Sequence, residues 1–434
     1  MRILKETEEL VQAGILPQET ADRIAAYYKA KEERHPNRLM LVFGLLGALL
    51  CGLGIILIVA HNWDNFSRPV KTSFAFLPLL LGQAICAYTL LRQQNSAAWR
   101  EASAVFLSLA VGGSISLVSQ IYNIPGNIGV FMLSWSLLCL PLVYILKSSA
   151  VSLLYVLGIC AYAIHQGFEV HSAERHIRHL HWLLLAGIGP HYYGLIRQNP
   201  GSNFTAFHHW FLAAAGMLLL WVSVHGDNNS DLMRTAFMSL FGFYCIIGST
   251  AWFEKQHSAA NAYRIMGALA TVVLLLVLSF DTFWHKSDVH SYAFGDLFTQ
   301  TSGLATILLT LGAVYVLYRQ MKSGSANALN PFNLSFLVFH VVVSAGVMSE
   351  SLPPLLVNLL LLTLGILNIR AGAQKNHLGI LNAGLLIVMA LVICKFFDTQ
   401  ISFVLRGLMF VLAGTGFFVA NIRMLKKRRA DGQA

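Results

Sequence analysis

Charged residues are scarce in this chain: only 12% of its 434 residues are Asp, Glu, Lys or Arg, whereas 56% are hydrophobic. A water-soluble globular domain has about 25% charged residues, so this composition excludes a soluble globule. The net charge of +10 does not indicate nucleic-acid binding, because the basic residues are dispersed along the chain and form no single basic stripe.

Catalytic and nucleotide-binding motifs are also absent. The sequence contains no P-loop, no dinucleotide-binding glycine pattern, no HExxH zinc motif and no nucleophile elbow. All six cysteines fall within apolar stretches, which favours membrane-packing residues over a disulfide framework. We therefore assign no catalytic residues and no cofactor, and a non-enzymatic role is favoured.

What the chain does have is a succession of apolar stretches of about the length that crosses a bilayer. A spanning helix needs roughly 20 apolar residues, and it satisfies its own backbone hydrogen bonds inside the membrane. We count fourteen such stretches, which predict an all-α polytopic helical bundle. The predicted spans are 40–60, 72–91, 102–121, 129–146, 149–164, 180–196, 206–224, 233–253, 263–283, 303–318, 333–348, 354–369, 378–397 and 401–421.

The positions of Lys and Arg predict which helix ends face the cytoplasm. With both termini cytoplasmic, 22 of the 30 Lys and Arg residues fall on the inner side, as the positive-inside rule requires. No signal peptide precedes the first apolar run, so we expect the first span to direct insertion. The predicted organisation is a cytoplasmic helical hairpin at 1–39, a four-helix membrane module at 40–146, a ten-helix region at 147–421 and a basic cytoplasmic tail at 422–434.

The segment 1–39 is predicted to form a small helical hairpin. Its first helix should stop at Gly14, and Pro17 followed by acidic Glu19 and Asp22 is typical of a second helix start. So short a segment is too small for a catalytic core. A cap against the inner loops is favoured, and a docking element for a partner or a second copy of the chain is the alternative.

Three polar clusters fall on the predicted outer face of the membrane and supply the candidate binding residues. Ionisable side chains at membrane depth are costly, so they are candidates for function. In this interpretation the charged members recognise charge and the amides donate or accept hydrogen bonds. Interfacial anchoring, helix capping and snorkelling are the alternatives. The candidates are Asn62, Asp64, Gln120, Asn123, Asp398 and Arg406, with Asp398 as the expected partner of Arg406 and Lys395.

The third span carries a stripe of small residues. Such residues let two helices approach closely, and a similar ladder in the first span predicts that these two spans pack together; a water-lined passage is the alternative. Glu101 opens the third span at the inner face, roughly 28 Å from Gln120, so the two cannot share one centre. The small residues are Ser108, Gly112 and Ser116 in the third span and Gly44, Ala48 and Gly52 in the first.

Histidines collect in the loop before the sixth span. By residue type alone His176, His179 and His181 are candidate metal ligands, but no cysteine or acidic pair completes a known ligand set. We therefore predict no metal site. His340 lies in the middle of span eleven, and we expect it to hydrogen-bond to a neighbouring helix.

Several of these segments carry a family resemblance. The segments 11–16, 60–64 and 120–123, together with Glu101, resemble the bacterial membrane family catalogued as domain of unknown function twenty-one fifty-seven. The resemblance is strongest over 1–146, and the segment 395–407 resembles the closing hairpin of the same and related families. It implies a bacterial inner-membrane location and assigns no activity.

These observations favour an inner-membrane protein that transports or handles a lipid or envelope component through a polar site at the periplasmic face. The expected partners are the lipid bilayer and a lipid-linked or small-molecule ligand, with no nucleic acid. One alternative is a scaffold or sensor subunit of an envelope complex, which would form a homo-oligomer or bind a partner through the N-terminal hairpin. Another is an intramembrane enzyme on a lipid-linked substrate, with Asp64 or Asp398 beside a histidine.

Overall fold

The computed structural model describes residues 63–168, 179–254, 261–284, 295–324, 329–346 and 351–396, parts of 7–24, residues 61 and 349, and scattered positions within 402–422. The chain divides into two compact units, Met1–Phe74 and Ala75–Ala434. The described residues are helices joined by loops, with no strand among them. The prediction of an all-α protein is confirmed.

In the first unit, the described part of the N-terminal segment has the predicted helix stop and restart. Gly14 has a φ of 71°, and the N–H of Ile15 donates to the Leu10 carbonyl at 3.0 Å. This is the bond of a C-terminal helix cap that ends in a left-handed residue. A new helical stretch covers 18–24. The predicted first span, with Gly44, Ala48 and Gly52, lies outside the described residues.

A 3-10 turn at Trp63–Asn65 precedes the long helices. The described helices are α1 Arg68–Arg92, α2 Ala97–Tyr122, α3 Ile128–Ile145, α4 Ser149–Phe168, α5 Leu180–Ala186, α6 Gly189–Gln198, α7 Asn203–Val224, α8 Ser230–Gly248, α9 Ala251–Glu254, α10 Ala262–Leu278, α11 Asp296–Thr299, α12 Thr301–Lys322, α13 Pro331–Gly346, α14 Leu352–Gln374 and α15 Leu378–Phe396.

Eight of these helices are long and apolar enough to cross a membrane: α1, α2, α3, α4, α7, α12, α14 and α15. The apolar helices α10 and α13 are slightly shorter. All ten coincide with predicted spans, including the short prediction at 149–164, which is the 20-residue helix α4. The chain is therefore a polytopic membrane protein, and the count of fourteen spans stays a prediction.

The prediction of one continuous helix over 180–196 is wrong. The structure has two short helices there, α5 and α6, separated by Gly187 and Ile188. Pro190 lies in the first turn of α6. A proline has no N–H for the preceding turn and its ring clashes with that turn, so it favours a break at this position, whereas α1 and α3 continue through Pro78 and Pro141.

Two tyrosine hydroxyls satisfy backbone carbonyls at this break. Tyr155 donates to the Leu184 carbonyl at 2.9 Å, and Tyr144 donates to the carbonyl of Gly187. The N–H of Ile188, which would pair with Leu184 in a continuous helix, donates to Leu185 instead. Inside a membrane such carbonyls need protein partners, because no water is there to replace them.

The helix α8 is at the centre of the packing in the C-terminal region. It contacts α7, α10, α12 and α13, and thirteen of its 19 residues are buried. It carries hydroxyl side chains one turn apart, at Thr235 and Ser239, and these face hydroxyl groups on α12. A helix that contacts neighbours on all sides can bury polar groups only where those neighbours supply partners.

The partners form a ladder of hydroxyl groups between α8 and α12. The Thr235 hydroxyl lies 3.3 Å from that of Thr306, and the Ser239 hydroxyl lies 2.9 Å from that of Thr310. On α13, the Nε2 of His340 lies 3.4 Å from both the Ser239 and the Thr310 hydroxyls. The prediction that His340 bonds to a neighbouring helix is confirmed.

Candidate functional site

The helices α1 and α2 pack as an antiparallel pair. The Cys86 thiol donates to the Ser103 carbonyl at 3.3 Å, and the Ser114 hydroxyl donates to the Ala75 carbonyl at 2.6 Å. Between these two contacts, a Cβ added to Gly82 would lie 3.1 to 3.3 Å from Leu107. The two helices therefore touch at three points, near Cys86, Gly82 and Ala75.

The small residues of α2 pack against α3. The Trp135 indole N–H donates to the Ser108 carbonyl at 2.7 Å, and the Ser108 hydroxyl donates to the Cys139 sulfur at 3.2 Å. A Cβ added to Gly112 would lie 3.0 Å from Trp135 Nε1. Ser108 and Gly112 thus permit a close helix approach, as such residues do in membranes. The contact with the first span that we predicted lies outside the described residues.

The loop between α2 and α3 is fixed at both ends by helix caps. Asn123 has a φ of 51° and ends α2 in the left-handed conformation, which asparagine tolerates better than most residues. The Ser119 hydroxyl donates to the Ile124 carbonyl at 3.0 Å. At the other end, Asn127 Oδ1 accepts from the Val130 N–H at 2.8 Å and caps α3. The loop therefore has a defined shape.

Below this loop lies a cavity of about 1010 Å³, which we call the α1–α3 cavity. Its volume is at the upper end of the range for small-molecule sites. From Leu107 to Gln120 it follows α2 for roughly 20 Å. Its lining comprises Phe76, Leu79 and Gln83 of α1, Leu107, Val111, Ser114, Ile115, Ser116, Val118, Ser119 and Gln120 of α2, the loop residues Ile124, Pro125, Gly126 and Asn127, and Ile128, Val130, Phe131, Ser134, Leu138 and Leu142 of α3.

Polar groups in this cavity concentrate at the loop end. Ser116, Ser119, Gln120 and Asn127 line that end, and the wall beyond them is mostly apolar. A further amide, Gln83, lies towards the other end. The exposed side chains of Gln83 and Gln120 make no hydrogen bond to the described part of the chain. Among the described residues, no charged side chain lines the cavity. It can therefore hold an apolar body and hydrogen-bond an uncharged polar group.

The predicted binding residues that the structure describes do not share one site. Gln120 lines the α1–α3 cavity, as does Ser116 of the predicted packing stripe, whereas Asn123 is the exposed C-cap of α2. Asp64 is exposed in the turn Trp63–Asn65 of the first unit. The remaining candidates Asn62, Asp398 and Arg406 lie outside the described residues.

Lys395, from the predicted outer-face cluster, is buried at the end of α15. Its Nζ donates to the Ser279 carbonyl at 2.6 Å and lies 5.0 Å from the centre of the Phe280 ring. Ser279 is the C-cap of α10. A cation at a helix C-terminus is stabilised by the carbonyls that end the helix, so this lysine has a structural partner in the protein.

The histidines of the outer loop do not assemble into a ligand set in the described part of the chain. His181 is buried, and its Nε2 lies 3.0 Å from the Ser223 hydroxyl. His179 is exposed, and its ring centre lies 6.1 Å from that of His181. His176 lies outside the described residues. No group of three or more metal-ligating side chains occurs among the residues described.

At the other end of α2, Glu101 caps the helix α4. Its carboxylate accepts from the Ser148 hydroxyl at 2.5 Å and from the N–H groups of Ser149 and Ala150 at 2.8 and 2.9 Å. Lys147, with a φ of 50°, makes the tight turn that brings α4 back beside α3. A carboxylate at a helix N-terminus is stabilised by the first N–H groups and by the helix dipole. The sequence predicted that Glu101 lies at the start of α2, at the inner face. It did not predict that this carboxylate caps α4.

Sequence reasoning missed a buried group of histidines and tyrosines near the start of α7. His208 Nδ1 lies 2.7 Å from the Phe204 carbonyl, so it donates, and Nε2 accepts from the Ser152 hydroxyl at 2.7 Å. The neighbouring His209 Nδ1 lies 2.7 Å from the Tyr192 hydroxyl, which lies 3.0 Å from the hydroxyl of Tyr263. The residues come from α4, α6, α7 and α10, and the only signal in the sequence is the adjacency of the two histidines.

The part of the chain that contains the α1–α3 cavity matches a known family model. The family model described as Predicted membrane protein (DUF2157) matches residues 8–152. No curated protein and no solved structure matches the chain. The match does not include the segment 395–407, for which we also predicted a resemblance to this family. Over residues 8–152 the chain is therefore similar to a family described as membrane proteins of unknown function, as the segments at 60–64 and 120–123 predicted.

Proposed function

We propose that this protein binds a lipid-like amphiphile in the α1–α3 cavity and acts in non-enzymatic transport or lipid handling in the bacterial inner membrane. The observation that carries the proposal is the lining of the cavity. It is apolar for most of roughly 20 Å along α2, and its polar groups gather at the loop between α2 and α3. An amphiphile has the same division between an apolar body and a polar end.

The apolar wall favours a hydrocarbon chain as the buried part of the ligand. Phe76 and Leu79 on α1 face Leu138 and Leu142 on α3 across the cavity. Apolar surface of this kind is most stable when apolar groups cover it. In a bilayer the most abundant molecule of suitable shape is a lipid.

The polar end favours a ligand whose inner head portion is uncharged. Gln120 and Ser116 supply an amide and a hydroxyl group, and no charged side chain of the described residues reaches the cavity lining. Burying a charged group there would leave it without a counter-charge. Ester, amide or hydroxyl groups would instead find donors and acceptors.

The proposed location follows from the distribution of Lys and Arg along the sequence. If the N-terminus is cytoplasmic, the loop between α2 and α3 faces the periplasm, and this loop carries no charged residue between Tyr122 and Ile128. The head of the ligand would then lie at the level of the outer leaflet of the inner membrane.

Photolabelling of the full-length protein tests the proposal. The protein is reconstituted in vesicles of phosphatidylethanolamine and phosphatidylglycerol with a phospholipid that carries a diazirine in its acyl chain. After illumination, peptide mapping should find label at Phe76 and Leu138. Substituting Ser116→Trp fills the cavity and should reduce this labelling severalfold. Substituting Gln120→Leu removes the amide and should reduce it roughly fivefold, the effect of one lost hydrogen bond.

A matched control lies on the same helix. Leu109 is 55% exposed and does not line the cavity, so Leu109→Trp adds the same bulk elsewhere and should leave the labelling of Phe76 and Leu138 unchanged. If Ser116→Trp also leaves it unchanged, the cavity is an ordinary lipid-facing surface and the proposal is refuted.

A further inference from the structure

A second cavity lies far along the chain from the α1–α3 cavity. It has a volume of about 500 Å³ and is formed by the end of α8 and the beginnings of α10, α13 and α15, with part of α14. Its lining comprises Cys245, Ser249, Phe253, Asn261, Arg264, Ile265, Ala268, Asn330, Phe332, Asn333, Asn368, His377, Gly379, Ile380 and Ala383. We call it the inner cavity, because the predicted topology places these helix ends on the cytoplasmic side.

Three helix N-termini meet at the inner cavity. The helix α10 begins after Asn261, α13 begins after Asn330, and α15 begins after His377, and each of these flanking residues lines the cavity. The first N–H groups of a helix and its dipole give its N-terminus a partial positive charge. Helix N-termini are accordingly common binding sites for phosphate.

The side chains of the inner cavity are basic or neutral. Arg264 contributes a guanidinium group that forms no ion pair with the described residues, and no Asp or Glu of the described chain lines the cavity. His377 Nδ1 accepts from the Ile380 N–H at 3.3 Å. Its Nε2 then carries the proton and is a donor. The described part of the lining thus offers donors from several directions and no carboxylate.

Amide side chains complete the lining. Asn261, Asn330, Asn333 and Asn368 come from or flank three different helices. Asn261 donates to the Gly248 carbonyl at 2.8 Å, and Asn333 Oδ1 accepts from the Ser249 hydroxyl at 3.2 Å. These bonds fix the amide side chains of Asn261 and Asn333 within the wall.

We propose that the inner cavity binds a phosphate ester through Arg264, His377 and the three helix N-termini. A guanidinium group matches the geometry of phosphate and forms paired, charge-assisted hydrogen bonds with it. The volume of about 500 Å³ exceeds that of phosphate alone and leaves room for the organic part of an ester. Its source is either the headgroup of an anionic lipid of the inner leaflet, for which basic pockets between membrane helices are known sites, or a soluble phosphate monoester.

Two binding measurements on the full-length protein distinguish these sources. In nanodiscs of phosphatidylcholine alone, calorimetric titration with glycerol 3-phosphate measures binding of the soluble ester. In nanodiscs that also contain phosphatidylglycerol, native mass spectrometry measures the retained anionic lipid. Binding in the first assay indicates a soluble ligand, and retention in the second alone indicates a lipid headgroup.

Three variants test whether the bound phosphate occupies this cavity. Arg264→Gln removes the charge and should weaken binding about tenfold or more, the effect of losing charge-assisted hydrogen bonds. Ala383→Phe places a ring in the cavity without removing any polar group, because Ala383 is an exposed residue of the lining. Arg319→Gln is the matched control, since Arg319 is exposed near the end of α12 and does not line the cavity.

The expected result is loss of binding in Arg264→Gln and Ala383→Phe, and unchanged binding in Arg319→Gln. Thermal unfolding of each purified variant shows whether it is folded, and Ala383→Phe decides the test if Arg264→Gln unfolds. The proposal is overturned if the folded native protein binds neither probe, or if Ala383→Phe binds as tightly as the native protein.

Discussion

Replacing Gly384 by alanine should force the helices α14 and α15 apart. A Cβ at this position would lie 2.7 Å from the Gly365 carbonyl oxygen and 2.7 Å from the Ile369 nitrogen. Both atoms belong to the backbone of α14, so neither can rotate away as the end of a side chain could. The helices must separate by several tenths of an ångström along the most extensive helix pair of the described residues.

Two opposing terms set the size of this effect. Overpacking a well-packed contact destabilises a protein by about 1–3 kcal/mol. Alanine is the better helix former than glycine by about 1 kcal/mol, which offsets part of that loss. We therefore expect Gly384→Ala to lower the free energy of unfolding by about 1 kcal/mol.

The substitution Gly113→Ala is a control, because it should change the free energy of unfolding in the opposite direction. Gly113 is inside α2, and a Cβ added there would have no neighbouring atom within 4 Å. Gly113→Ala should therefore gain helix propensity without a clash and raise the free energy of unfolding by up to about 1 kcal/mol. Equilibrium unfolding of both variants in the same mixed micelles measures the difference. Equal shifts in the two variants would refute the close backbone contact between α14 and α15.

Other substitutions test individual contacts through the same unfolding measurement. Glu101→Gln removes the charge that caps α4 and should cost about 2 kcal/mol; an unchanged midpoint would contradict the capping role. Tyr155→Phe leaves the Leu184 carbonyl with the Gly187 N–H as its remaining donor and should cost about 1 kcal/mol, and an unchanged midpoint would contradict a contribution of the tyrosine hydroxyl. Arg234→Met leaves the buried Asp231 carboxylate without the guanidinium that lies 2.7 Å away and should cost about 3 kcal/mol. The double variant Asp231→Asn/Arg234→Met should recover most of this loss, and equal instability of the two would contradict the reasoning.

The hydrophobic pattern was sufficient to locate most of the described membrane helices. Apolar runs of this length have no other stable conformation in a bilayer, so α1 to α4 begin and end within a few residues of the predicted bounds. The break between α5 and α6 was missed because the segment 180–196 is apolar on average. Pro190 marks a position where a break is favoured, but Pro78 and Pro141 lie inside the continuous helices α1 and α3, so a proline alone does not predict an interruption.

The candidate sites were less accessible to sequence reasoning. Gln120 was found because a polar residue at the end of an apolar helix stands out locally. Asn123 stands out for the same reason, yet it ends a helix, and the sequence pattern alone does not separate these two roles. The inner cavity draws its lining from residues between Cys245 and Ala383 on six helices. No short motif relates Arg264 to His377, so only the packing of the helices shows that they line one cavity.

The hydroxyl ladder between α8 and α12 has a consequence for how the chain enters the membrane. The helix α8 is not among the eight described helices that are long and apolar enough to cross a membrane, and it carries Asp231, Arg234 and a row of hydroxyl groups. The partners of that row on α12 follow 71 residues later in the chain, as Thr235 and Thr306 illustrate. During synthesis α8 therefore leaves the ribosome well before the groups that make its polar face stable in lipid. We expect α8 to remain at the insertion machinery or at the membrane surface until α12 arrives, so that the two helices enter the bilayer as a pair.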